Sequence, residues 1–412
     1  MKIQLLLLIM FMQPKLANAH DIEVQNADGK TIYYNYTNNG TELEVTFRGY
    51  KYDEYHNEYG GNVVIPKEVT YMNRTRKVTS IGDRVFYKCY KIYSVTIPNS
   101  VTSIGSHAFE GCSGLRKVIV SDIATWCGIY FGSTDANPLY YAGHLYSDEN
   151  TEIKDLVIPS SVTSICDFAF IRCSGLTSVS ISKNVMSIGD KAFFVCSELN
   201  KVIVSDIAAW CGINFGSIDA NPLFYAKHLY SDKNTEIKDL VIPNSVKRIC
   251  DYAFIHSSSL TSITIGNSVT SIGNEAFYEC SALTSVTIGN HVISIGTCAF
   301  YGADIPTIIS LIGNPFTIQG KSSNYLTFSK NTFINATLYV PRGTIDKYKA
   351  TDGWKDFMFI EEGIPAGIST NKVKKNAGNY YYTIDGKSLD KPMKSLNIVK
   401  MGDGTTRKVV VK

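Results

Sequence analysis

The chain has 412 residues, 44% of them hydrophobic, and a formal net charge of +3. That is enough apolar material for a large core and too little charge for a nucleic-acid or anionic-membrane binder. No Gly-rich phosphate loop, nucleophile-elbow sequence, paired-Cys motif or His-x-x-x-His spacing is present, so no catalytic residue, metal set or cofactor is expected.

Lys2, the nearly all-apolar run from Ile3 to Met12 and Ala17-Asn18-Ala19 have the layout of a secretory signal over residues 1–19. The apolar run is too short to span a membrane, and no transmembrane segment is expected elsewhere. Residues 20–77 are rich in Tyr, Thr and Val, with turns at Asn38-Asn39-Gly40 and Tyr59-Gly60-Gly61. They predict a small antiparallel β cap that includes the Tyr-rich run from Tyr50 to Tyr55.

From residue 78 to 313 a 23-residue unit recurs, V-x-x-I-G-x-x-A-F-x-x-C-x-x-L-x-x-V-x-I plus three variable positions, beginning at Val78, Val101, Val162, Val185, Val246, Val269 and Val292. A repeat of this length stacks as a solenoid, because one unit cannot bury its own faces. Leu176, Val179 and Ile181 place inward side chains on a short strand, while Ala192, Phe193 and Cys196 have the spacing of one helical turn. The expected fold is therefore a repeat solenoid with one parallel strand per rung and short helical turns opposite. Eleven strand-like segments, from Val63-Pro66 to Leu338-Pro341, predict one continuous sheet roughly 48 Å long at about 4.8 Å per step.

The outward face of that sheet is expected to carry a hydroxyl strip, Thr177, Ser178, Ser180, Thr261, Ser262, Thr264, Thr284, Ser285 and Thr287, interrupted by Arg116, Lys117 and Lys201. Such a strip could meet a large glycoprotein, or simply be a solvated strand face.

Two long inserts, residues 123–157 and 207–241, repeat each other at 84 residues, with Trp126 matching Trp210 and Pro138 matching Pro222. Each predicts a short helix, an Asn-Pro turn and a hairpin-like return, projecting from one side. Trp126, Tyr130, Tyr140 and Tyr141, with Trp210, Phe215, Phe224 and Tyr225, are either a sugar- or protein-binding set or packing for the insert. His144 and His228 hold equivalent insert positions and are expected to lie one long repeat apart.

Cys89, Cys112, Cys173, Cys196 and Cys280 share one slot of the unit, Cys166 and Cys250 stand where Gly is usual, and Cys127 matches Cys211. Repetition in one slot predicts small buried thiols. Residues 314–363 lose the period and predict a C-terminal cap, with Leu338 to Pro341 extended and a helix from Ile345 through Lys349. Residues 364–412 are expected to be a separate extension.

The unit from Val101 to Leu115, the Trp-Cys-Gly-Ile block and the Leu338-Tyr339-Val340-Pro341-Arg342-Gly343-Thr344 ending resemble the BspA-like leucine-rich repeat family of bacterial secreted and surface proteins. The resemblance, over roughly residues 60 to 363, implies export and binding of extracellular host or bacterial proteins or glycoproteins. The tail from Tyr381 to Lys412 is similar to C-terminal segments of Gram-negative exported proteins, some of which act as sorting signals. Here Leu396-Asn397-Ile398 replaces the usual Gly-aromatic-Ile run. The reading is thus a non-catalytic adhesion or protein-binding molecule; the alternatives are a periplasmic or structural scaffold, or a carbohydrate-binding module.

Overall fold

The computed structural model describes residues 20–26, 29–54 and 57–363, and in the C-terminal segment the strands Tyr380–Tyr382, Ser388–Leu389, Leu396–Lys400 and Thr406–Val410. The expected export signal at 1–19 lies outside the described residues. The described residues divide into two compact units, those up to 125 with 129–142, and 126–128 with those from 143 onward. No described helix is long and apolar enough to cross a membrane.

In the first unit, Ile22–Gln25, Thr31–Thr37 and Glu42–Thr46 pair antiparallel. Glu42–Thr46 then pairs in parallel with Arg74–Ile81, which straddles the expected boundary at residue 78 and continues the ladder to Ser103–Ile104 and Tyr130–Phe131. Gly61–Val64, Ile92–Ile97 and Lys117–Val120 form a second parallel ladder.

The second unit has the same two-faced construction. Asp155–Val157, Ser178–Ile181, Lys201–Val204 and Leu229–Tyr230 pair in parallel. Ser164–Ile165, Ser187–Ile188 and Asn214–Phe215 pair on the opposite face. Between strand and strand the chain turns through i→i+3 bonds, as in Ala192 to Gly189 and Cys196 to Phe193. Lys191 and Val195 take positive φ there, so the turn reverses tightly, while Ala192, Phe193 and Cys196 stay buried on its inner side.

The rings of Phe170 and Phe193 stack at 5.2 Å, as do Phe254 and Phe277, Phe277 and Phe300, and Phe300 and Phe328. The repeated cysteine is more than a filler. The Cys196 thiol donates to the Phe170 carbonyl and the Cys280 thiol to that of Phe254, each at 3.2 Å.

Two expectations need correction. The sheet is not continuous in this unit: a separate parallel sheet starts at Asp239–Val241 and runs through Ser262–Thr264, Ser285–Ile288, Thr307–Ser310 and Thr337–Val340 to Phe359–Glu362. Val202 and Leu240 are therefore not neighbours, because the insert strand Leu229–Tyr230 takes the place beside Lys201–Val204. The second insert also does not project. Its helix Ile207–Cys211 and its helix Leu223–Ala226 bury Trp210, Leu223 and Ala226, and its two strands extend both ladders. It is a rung of unusual sequence, closed by an antiparallel bridge between Tyr230 and Glu236.

Beyond residue 314, Thr337–Val340 is a strand where Leu338 to Pro341 reads as extended, and the helix is Ile345–Ala350, with Tyr348 and Trp354 buried. The four strands of residues 380–410 pair antiparallel among themselves.

Candidate binding surface

Alternation along each strand sends Val179, Val202 and Leu229 inward and the residues between them outward. In register across the first sheet of the second unit, Val157 faces Ser180, Ser180 faces Ile203, and Ile203 faces Tyr230. Val157 is exposed and the other three half-buried. Two residues earlier along each strand, Asp155, Ser178 and Lys201 form a second column. The Lys201 Nζ sits 4.6 Å from the centre of the Tyr230 ring and donates to the Lys233 carbonyl at 2.9 Å. The face is a strip of two aliphatic residues, a serine and a tyrosine, with an acid beside its first strand and a cation beside its tyrosine. Ile203 holds the variable position that Ser180 holds one unit earlier, and a search of the outward face for hydroxyls and charges passes it over; its place between Val202 and Val204 is the signal that marks it as outward.

The hydroxyl residues are used largely within the stack. Thr177 and Thr261 donate to the carbonyls of Lys154 and Lys238 at 3.2 Å, and Thr284 to that of Thr261 at 3.0 Å. Ser178 and Ser262 donate to Asp155 and Asp239 at 2.5 and 2.6 Å. Ser178 and Thr287 are buried, Ser285 is half-buried in the second sheet, and Ser180 and Thr264 remain partly open. Hydroxyls that bond the rung before them hold the ladder together and have less capacity left for a ligand.

Trp126 and Trp210 are both buried, so neither presents a ring face. Their indole N–H groups donate to the carbonyls of Ala169 and Ala253 at 2.8 and 2.7 Å. Asn221, also buried, donates to the carbonyls of Tyr252 at 2.8 Å and Ala253 at 3.2 Å, and accepts from the Leu223 amide at 2.9 Å. In a regular rung such carbonyls are met by backbone, as Ala192 is by the Phe170 amide at 2.8 Å. The insert lacks those amides, and the indole and carboxamide replace them. Of the other insert aromatics, Phe224 stacks on His256 at 4.4 Å, the Tyr141 hydroxyl accepts from the Gly111 amide, and Tyr130 is exposed.

His144 and His228 each pair locally, with Glu152 and Glu236, at 2.6 Å. Among the described residues one group has the donors for a metal: His107, Glu110 and Asp135, with ligand atoms within 4.8 Å of one another. Asp135 lies 28 residues beyond His107, and only the fold brings it there. The shared-slot thiols are poor nucleophiles, since burial pushes Cys89 up to about 11 and Cys196 to about 12.

A profile of the BspA-type leucine-rich repeat region matches residues 65–131, 145–212 and 228–339 in six copies. Among solved structures, a leucine-rich cell surface protein from Faecalibacterium prausnitzii is 20% identical, with a TM-score of 0.40, over 86% of this chain and 99% of that one. A leucine-rich repeat protein from Bacteroides ovatus is 23% identical, with a TM-score of 0.39, over 80% and 98%. The pneumococcal vaccine antigen PcpA is 15% identical, with a TM-score of 0.38, over 83% and 99%. Among curated proteins the chain has no match.

Proposed function

The chain belongs to the BspA-type leucine-rich repeat family, and from that membership we propose a non-catalytic binding protein, exported by the signal at residues 1–19, that engages an extracellular protein or glycoprotein at the cell surface. The observation that carries this reading is the in-register strip Val157, Ser180, Ile203 and Tyr230 with Asp155 and Lys201 beside it. Apolar and aromatic residues bordered by polar groups are the composition of a protein interface, and a few aromatic anchors such as Tyr carry much of the energy in such surfaces. Leucine-rich repeat domains in general bind proteins through such extended surfaces.

Two measurements test it. Protease shaving of intact cells should release peptides from residues 78–313; their protection until the outer membrane is opened would favour a periplasmic scaffold. Purified chain screened against immobilised extracellular-matrix glycoproteins should find a partner whose affinity falls tenfold or more, about 1.4 kcal/mol, in Ile203→Glu with Tyr230→Ala. Unchanged binding by that folded variant would remove the strip from the interface.

A further inference from the structure

The residue after the repeated Ile is Gly82, Gly105, Gly189, Gly273 and Gly296 in five of the units, and Cys166 and Cys250 in the two that follow the inserts. The preceding rung imposes the glycine. A Cβ on Gly189, Gly273 or Gly296 would stand 2.5 Å from the backbone nitrogen of Asp167, Asp251 or Asn274. In these rungs the glycine amide donates to the preceding rung's Ile: Gly189 to Ile165 at 2.8 Å, and Gly273 to Ile249 and Gly296 to Ile272 at 2.9 Å.

Cys250 breaks this pattern. Its amide donates at 2.9 Å to the carbonyl of Cys211, the last residue of the insert helix Ile207–Cys211. A helix end in place of a strand admits a β-carbon, and the side chain admitted is a thiol beside another thiol. With N–Cα of about 1.46 Å on one side and C=O and Cα–C of about 1.23 and 1.52 Å on the other, that single 2.9 Å contact holds the two Cα atoms at most about 6.8 Å apart, within the span of about 4.4–6.8 Å that a disulfide bridges. Burial first, and then the neighbouring Cys250, push the Cys211 thiol up. The 84-residue copy repeats the backbone arrangement, with the Cys166 amide donating to the Cys127 carbonyl at 2.8 Å.

We propose that Cys211 and Cys250 are a modification site that closes as a disulfide, fastening the insert helix to the rung after it. Both thiols are free in this structure, Cys211 buried and Cys250 half-exposed. The more accessible Cys250 loses its proton and attacks a small-molecule or protein disulfide oxidant. One oxidant thiolate leaves and takes a proton, and Cys250 is held as a mixed disulfide. The Cys211 thiolate then displaces the second oxidant thiolate, which takes the proton Cys211 has lost. Two protein thiols become one disulfide, and the oxidant leaves as two thiols. The bond falls where both parallel ladders of the unit are interrupted, between Leu229–Tyr230 and Asp239–Val241 and between Asn214–Phe215 and Arg248–Ile249. A covalent link there takes over from missing strand pairing. The shared-slot cysteines remain thiols, since Cys196 and Cys280 already donate to carbonyls of the rung before.

The test incubates the folded full chain with a glutathione and glutathione-disulfide buffer, alkylates it, and maps its peptides with and without dithiothreitol. A peptide pair linked through Cys211 and Cys250 is expected, released by dithiothreitol and missing from Cys250→Gly, which carries the residue five other units already use. Cys250→Ser serves as a second variant should the glycine form not fold. Recovery of both residues as separately alkylated thiols from the oxidised, folded wild-type chain, or of Cys250 carrying glutathione alone, would overturn the proposal.

Discussion

A regular rung of the second unit, Val185 to Val204, and the insert rung, Ile207 to Tyr230, meet their neighbours by different chemistry. The regular rung buries Phe193 against Phe170, and backbone amides of Phe168, Phe170 and Arg172 donate to the carbonyls of Asp190, Ala192 and Phe194 at 2.6 to 2.9 Å. The insert meets the next rung through the Trp210 indole and the Asn221 carboxamide. The difference teaches that a solenoid rung has two separable obligations, filling its interior and satisfying the carbonyls of the rung beside it. When the backbone path departs from the standard turn, buried polar side chains must take over the second task.

The comparison can be pressed at three places. Phe193→Ala should have the largest effect, a loss of about 3–5 kcal/mol from the cavity left against Phe170, read as a lowered urea midpoint of the tryptophan fluorescence transition. A loss below about 1 kcal/mol would mean that ring stacking is not what holds regular rungs together. Asn221→Leu keeps the volume and removes both donors and the acceptor; the Tyr252 carbonyl keeps the Ile255 amide and the Ala253 carbonyl the Trp210 indole, but the buried Leu223 amide loses its acceptor, so the change should cost about 1–3 kcal/mol. Thermal unfolding followed by circular dichroism would detect it, and a neutral result would show that the insert closes without the carboxamide. The smallest effect is expected at Ser257, which holds the cysteine slot of the unit after the insert. Its hydroxyl is buried with no hydrogen-bond partner among the described residues. Ser257→Cys, the residue at the equivalent Cys173, should gain about 1 kcal/mol and slow amide exchange at Phe254 to Leu260. A loss of protection would place the hydroxyl in a bond that the cysteine cannot make.

Much of the fold was legible because the repeat is written in side chains that must be buried. The alternation of Val179 and Ile181 placed the strands, and the recurrence of Phe170, Phe193 and Phe277 marked the interior. The tight turns between them are set by positive φ at Lys191 and Val195, residues of ordinary type whose backbone conformation composition does not reveal. The outward strand face was legible only in part. Ser180 and Thr264 are on the outward face as their strand positions implied, but Thr177 and Thr261 spend their hydroxyls on neighbouring carbonyls. Which partner a hydroxyl finds depends on the rung 23 residues away, and a pattern of types does not carry that distance.

The sequence by itself determined the unit, its period, its family and which side chains close each rung, since apolar burial at fixed spacing admits few other solutions. Tertiary structure alone decided that the second insert is a rung and not a projection, that the sheet breaks after it, that Trp126 and Trp210 serve as internal donors, and that Cys211 meets Cys250. Each of these depends on which backbone groups a departing chain leaves unpaired, and that is settled only when two rungs are laid against one another.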